Sequence, residues 1–88
     1  MSAFPKTMRA AASGIARHLI GQRVEAPGAT LNVVAMRDYV AVTSTTRAVV
    51  EADWMAALQT LPYRTSFTLT RNSDGTLTAI VRRLDEAA

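Results

Sequence analysis

One stretch organises the whole chain: RTSFTLTRNSDGTLTAIVRRL, from Arg64 to Leu84. Phe67 and Leu69 alternate with Ser66, Thr68 and Thr70, the period of two that sends apolar and polar side chains to opposite faces of a strand. Asn72-Ser73-Asp74-Gly75 follows as concentrated turn chemistry, and Thr76 to Leu84 returns as a second strand. A glycine bulge at Gly75 would set Phe67 opposite Val81 and Leu69 opposite Ala79, giving one apolar face. A tight Asp-Gly loop would pair Leu69 with Ile80 instead. The first register buries more and is the one expected. Asp85 to Ala88 reads as a frayed tail.

Upstream of this hairpin the period changes. Val50, Trp54, Ala57, Leu58 and Leu61 fall at helical spacing, and Pro62 closes the element. The spacing predicts a helix over 47–61 with Thr46 as its N-cap, although the β-branched run to Val50 would also allow a helix of 52–61 only. Leu31 to Ser44 is rich in Val, Tyr and Thr, broken only by Arg37-Asp38. Two strands, about 31–36 and 39–44, fit best, despite a pair of turn residues poorly suited to a two-residue loop. One long bent strand is the alternative. Apolar residues fall on both faces there, which points to the inside of the sheet or to an interface.

At the N-terminus Phe4, Met8, Ala12, Ile15 and Leu19 make one stripe, so residues 5–20 read as an amphipathic helix, with Pro5 in its first turn and Gly21 as its stop. Ala26-Pro27-Gly28 marks a turn. The order is helix, two strands, helix, two strands. The fold class expected is a two-layer α+β domain, a four-stranded antiparallel sheet with both helices on one face, occupying the whole chain. The other face would be rich in threonine and open to solvent or a partner.

Bulk properties narrow the function. At 88 residues, with 49% hydrophobic and 19% charged residues and few aromatics, the chain supports one thin core or a shared interface. The absence of cysteine excludes disulfides, thiolate metal sites and cysteine nucleophiles, and favours a cytoplasmic location. No stretch is long and apolar enough to span a membrane. The acid-free first 24 residues also have the composition of a transit peptide, but removing them would leave only about 60 residues to fold alone, which weighs against that reading.

The candidate binding residues are basic. Lys6, Arg9, Ser13 and Arg17 fall within about 80° of one another, opposite the apolar stripe, with Arg23 just beyond the helix. Arg82 and Arg83 project one to each face of the last strand, where an edge-protecting role is also possible. Such a row could meet phosphates or an acidic protein, and a solvated outer face is the plainer alternative. His18 lacks partners for metal or catalysis and reads as structural. Trp54, on its stripe, reads as core. Tyr39 beside Arg37 and Tyr63 beside Arg64 could stack on bases. No acid pair, phosphate loop or helix-turn-helix spacing is present. No catalytic residue, cofactor or metal site is therefore expected. The profile is that of a small non-enzymatic regulator, accessory protein or inhibitor, a type that phages and mobile elements also carry. It would act through a protein partner or self-association, with nucleic-acid binding as the alternative.

Overall fold

A computed structural model describes residues 4–25, 30–47 and 49–84. The element order is α1 (Met8–Gly21), β1 (Asn32–Ala35), β2 (Val40–Thr43), α2 (Glu51–Gln59), β3 (Thr65–Arg71) and β4 (Leu77–Arg83). The strands form one antiparallel sheet in the order β1-β2-β4-β3. The expected two-layer α+β class holds. The Ala26–Gly28 turn and the 85–88 tail lie outside the described residues.

The β3–β4 hairpin takes the bulged register, with Phe67 opposite Val81 and Leu69 opposite Ala79. Gly75 has φ +90°, which a residue without Cβ adopts freely. The amide of Gly75 donates to the Asn72 carbonyl at 3.0 Å, and that of Asn72 to the Thr76 carbonyl at 2.7 Å. Asp74 accepts from both the amide and the hydroxyl of Thr76, bonds that hold its carboxyl below the usual carboxylate range. The β1–β2 hairpin also forms, closed by the Met36 amide on the Tyr39 carbonyl at 2.8 Å, with neither Arg37 nor Asp38 at positive φ.

Val33, Val42, Ala79 and Leu69 line up across the sheet, and Ala35, Val40, Val81 and Phe67 form the next row. The helices cover this face. Ala11, Ile15 and Leu19 of α1 and Trp54, Ala57 and Leu58 of α2 are buried with Val40, Val42, Leu77, Ala79 and Val81 in one core. Trp54 is core, as its place on the stripe predicts. Its indole N–H has no partner among the described residues.

The helix boundaries differ from expectation. α1 begins at Met8, after Thr7, whose hydroxyl accepts from the Ala10 amide at 3.1 Å. Lys6 therefore precedes the helix rather than lying on it. Gly21 does not stop it: Gln22 is the C-cap, and the left-handed residue is Arg23, at φ 57°. The Arg23 amide reaches the Ile20 carbonyl and the Val24 amide the Leu19 carbonyl, closing a Schellman motif over the buried Leu19–Val24 pair.

α2 begins at Glu51, so both the 47–61 span and the Thr46 cap are corrected. Thr46 instead donates its hydroxyl to Glu25 Oε2 at 2.9 Å, and Val49 is buried just ahead of the helix. Val50 supplies the N-cap backbone without a side-chain bond and is exposed. Glu51 and Asp53 in the first turn favour the helix through its dipole.

Candidate functional site

Strand alternation defines the second face of the sheet. The paired positions Asn32–Thr43–Thr78–Thr70 form one row, and Val34–Ala41–Ile80–Thr68 the next. Met36, Tyr39, Arg82 and Ser66 continue the pattern at the β1–β2 turn end. Neither helix covers these side chains. Val34 is 51% exposed and Met36 42%, while the flanking Ser66, Thr68 and Thr70 are exposed as well.

Part of the polar side chains on this face, around Thr78, bond to one another. The Thr43 and Thr78 hydroxyls lie 3.2 Å apart, and Asn72 Nδ2 donates to Thr78 and Thr76 hydroxyls at 2.9 Å each. The one charged group in the three rows is the Arg82 guanidinium, which lies 5.2 Å from the centre of the Tyr39 ring. Charged residues make up 19% of the chain, so their near absence here is a local property. A solvated sheet face ordinarily carries lysine and glutamate. Depletion of charge is instead the compositional mark of an interface core.

The basic residues proposed from the sequence do not form one surface. Arg9 and Arg17 are exposed on the outer side of α1, Lys6 lies just before it and Arg23 just after. The side chains of these four make no ion pair among the described residues. Arg82 sits on the far side of the sheet from α1. Arg83, opposite Thr65, points to the helix side. Arg82 and Arg83 line a shallow notch of about 270 Å³ with Met8, Arg37 and Asp38. Edge protection does not explain this pair, because β4 is an inner strand. β1, expected inside the sheet or in an interface, is an edge strand, and only β2 of that hairpin is internal.

The remaining candidates are engaged in the fold. His18 Nε2 lies 2.9 Å from the Ala57 carbonyl, an acceptor, so this nitrogen carries the proton. It also lies 3.0 Å from the Thr60 hydroxyl, tying α1 to the end of α2. Tyr39 and Tyr63 are not poised for bases: one carries Arg82, and the other packs edge-on to Phe4 at 5.8 Å, over Gly14. Among the described residues no group of histidine and carboxylate side chains could hold a metal ion, and no helix is long and apolar enough to cross a membrane.

Fold and site together define a small α+β protein with a helix-covered sheet face and an open, nearly uncharged one. Comparison with protein-family models, with curated proteins and with solved structures finds no match to this chain.

Proposed function

We propose that this chain is a small non-enzymatic binding protein acting through a protein partner or by self-association, with the open sheet face as its contact surface. The observation that carries the reading is the composition of that face: three rows of Val, Ala, Ile, Met, Tyr, Thr, Ser and Asn around a single arginine. Water-exposed Val34 and Met36 gain by coverage, at about 25 cal/mol for each Å² of apolar surface removed from water. The Thr43 and Thr78 hydroxyls already pair internally, so these two lose little when water is displaced. A binding role also fits the lone histidine, which is committed to holding the helices together. Regulation or inhibition of a cytoplasmic partner is the activity this profile suits.

The test is affinity capture from the native host, with nuclease treatment, comparing the wild type with Val34→Lys and with Arg9→Glu/Arg17→Glu. Capture of a defined protein, or of further copies of the chain, that is lost in Val34→Lys and kept in the helix variant supports the proposal. Capture indifferent to Val34→Lys refutes it.

A second reading, binding of nucleic acid by α1, is favoured by Arg23. A non-glycine residue in the left-handed region costs about 1 kcal/mol, yet a cation occupies this position just past the helix that carries the exposed Arg9 and Arg17. Binding to random DNA or RNA that falls steeply with salt and disappears in Arg9→Glu/Arg17→Glu would establish it. Binding that survives the double substitution would remove it.

A further inference from the structure

Resting on the proposed binding role of the open face, we infer that its occupant is a second copy of this chain, the two sheets packing face to face about a two-fold axis. The face itself argues against the other occupants. An acidic protein or a nucleic acid would be met by several cations, and the three rows carry only Arg82, already placed over Tyr39. A lipid surface would not select rows of threonine and asparagine. What remains is a flat, neutral surface of regular small and β-branched side chains, and the same face of another copy matches it in shape and polarity. Two such sheets interdigitate at a separation of about 10 Å.

The geometry is compatible with two-fold symmetry. An axis crossing the strands at the Ala41–Ile80 row keeps β2 over β2 and reverses strand direction. Each Arg82 then lies at the hydroxyl-rich end of the other copy, near its Thr43, Thr78 and Asn72. The two like charges sit at opposite ends of the interface, and the apolar Val34, Ala41 and Ile80 meet in the middle.

The area also suffices. Four strands spaced about 4.8 Å apart and three rows along them give a footprint of about 20 × 20 Å. Allowing for surface relief, a pair of copies buries about 1,000–1,200 Å², at the lower bound for a specific interface. The dimer should therefore dissociate on dilution rather than be permanent. A second copy also supplements a core that, at 88 residues, stands near the size where one core gives only a few kcal/mol.

The test is sedimentation equilibrium of the purified full chain over a dilution series, with Val34→Lys and Thr68→Lys as variants on exposed face positions and Arg9→Glu/Arg17→Glu as the control. The expected result is a mass approaching twice the 9.5 kDa of one chain at high concentration. Each lysine substitution should weaken association about tenfold or more, with unchanged circular dichroism and, at concentrations where the chain is monomeric, an unchanged melting temperature, and the control should not. Because the chain has no cysteine, Thr68→Cys gives a second readout. Its alkylation should slow as concentration rises, while that of Ser13→Cys on α1 stays constant. A single-chain mass at every concentration overturns the inference, as does a dimer broken only by the α1 variant. If the pure chain is monomeric while Val34→Lys still abolishes capture of another protein, the second copy is wrong and the binding role of the face stands. If Val34→Lys alters neither, both fall.

Discussion

Gly14 should behave against its helix propensity, and Tyr63 is the reason. In an exposed helix interior, Gly→Ala stabilises by about 1 kcal/mol. Gly14 lies within α1, but a Cβ built there would overlap the Tyr63 hydroxyl, with the ring Cζ next at 3.4 Å. Tyr63 is not free to yield without loss, since it is half-buried and meets Phe4 edge-on. Forcing a methyl into such a contact costs about 1–3 kcal/mol, and disturbing the ring pair adds about 0.5–1.5 kcal/mol. Gly14→Ala should therefore destabilise by about 1–2 kcal/mol net, lowering the melting temperature by about 4–8 °C per kcal/mol for a chain of this size. In Tyr63→Phe the obstructing oxygen is gone and the nearest atom stands at 3.4 Å. There the same Gly14→Ala should stabilise by up to about 1 kcal/mol. A double-mutant cycle by urea unfolding measures the coupling, expected at about 2 kcal/mol with a reversal of sign. Equal effects of Gly14→Ala in both backgrounds would refute the packing of Tyr63 over α1.

Ser44 is buried, donating to the Thr46 carbonyl at 3.0 Å and accepting from the Leu77 amide at 2.9 Å. Ser44→Ala strands that amide and should lose about 1–3 kcal/mol in chemical unfolding, whereas a loss under 0.5 kcal/mol would contradict the bond. Arg23→Gly should raise stability by about 1 kcal/mol by relieving the left-handed arginine of the Schellman cap, and a melting temperature that falls would refute that geometry. The Asp74 carboxyl is held below its usual value by Thr76, so its contribution is present above the ordinary aspartate range near about pH 3.9 and is lost as pH falls through the lowered value. NMR titration should show this depression in the wild type and its reduction in Thr76→Val; an unshifted wild-type carboxyl would contradict it.

What the sequence made legible was local. The alternation of Phe67 and Leu69 and the glycine at 75 specify the β3–β4 register without help from elsewhere, because a shift by one would turn the apolar face outward. The stripe of α1 was equally readable, since Ala12, Ile15 and Leu19 have no other apolar surface to meet. What was lost depended on partners far along the chain. Thr46 has the chemistry of an N-cap, but Glu25 takes its hydroxyl, and α2 starts five residues later at Glu51. Gly21 satisfies the usual rule for a helix stop, yet the left-handed turn falls at Arg23, where Leu19 and Val24 can both be buried.

The open face shows the same limit. Its threonines were visible in β3, but the pairing of β2 with β4 is what places Ala41 beside Ile80 and removes charge from the three rows. That pairing joins segments separated by a helix and a strand, beyond the reach of periodicity. Arg82 and Arg83 were open to reading as edge protection for the same reason, since only the strand order makes β4 internal.

The most direct test of the open face as a contact between two copies is an isotope-filtered NOE experiment on an equimolar mixture of labelled and unlabelled chain at high concentration. Intermolecular contacts among the methyl groups of Val34, Ala41 and Ile80 are predicted. Intermolecular contacts confined to α1, or none at concentrations where sedimentation shows a dimer, would contradict the account.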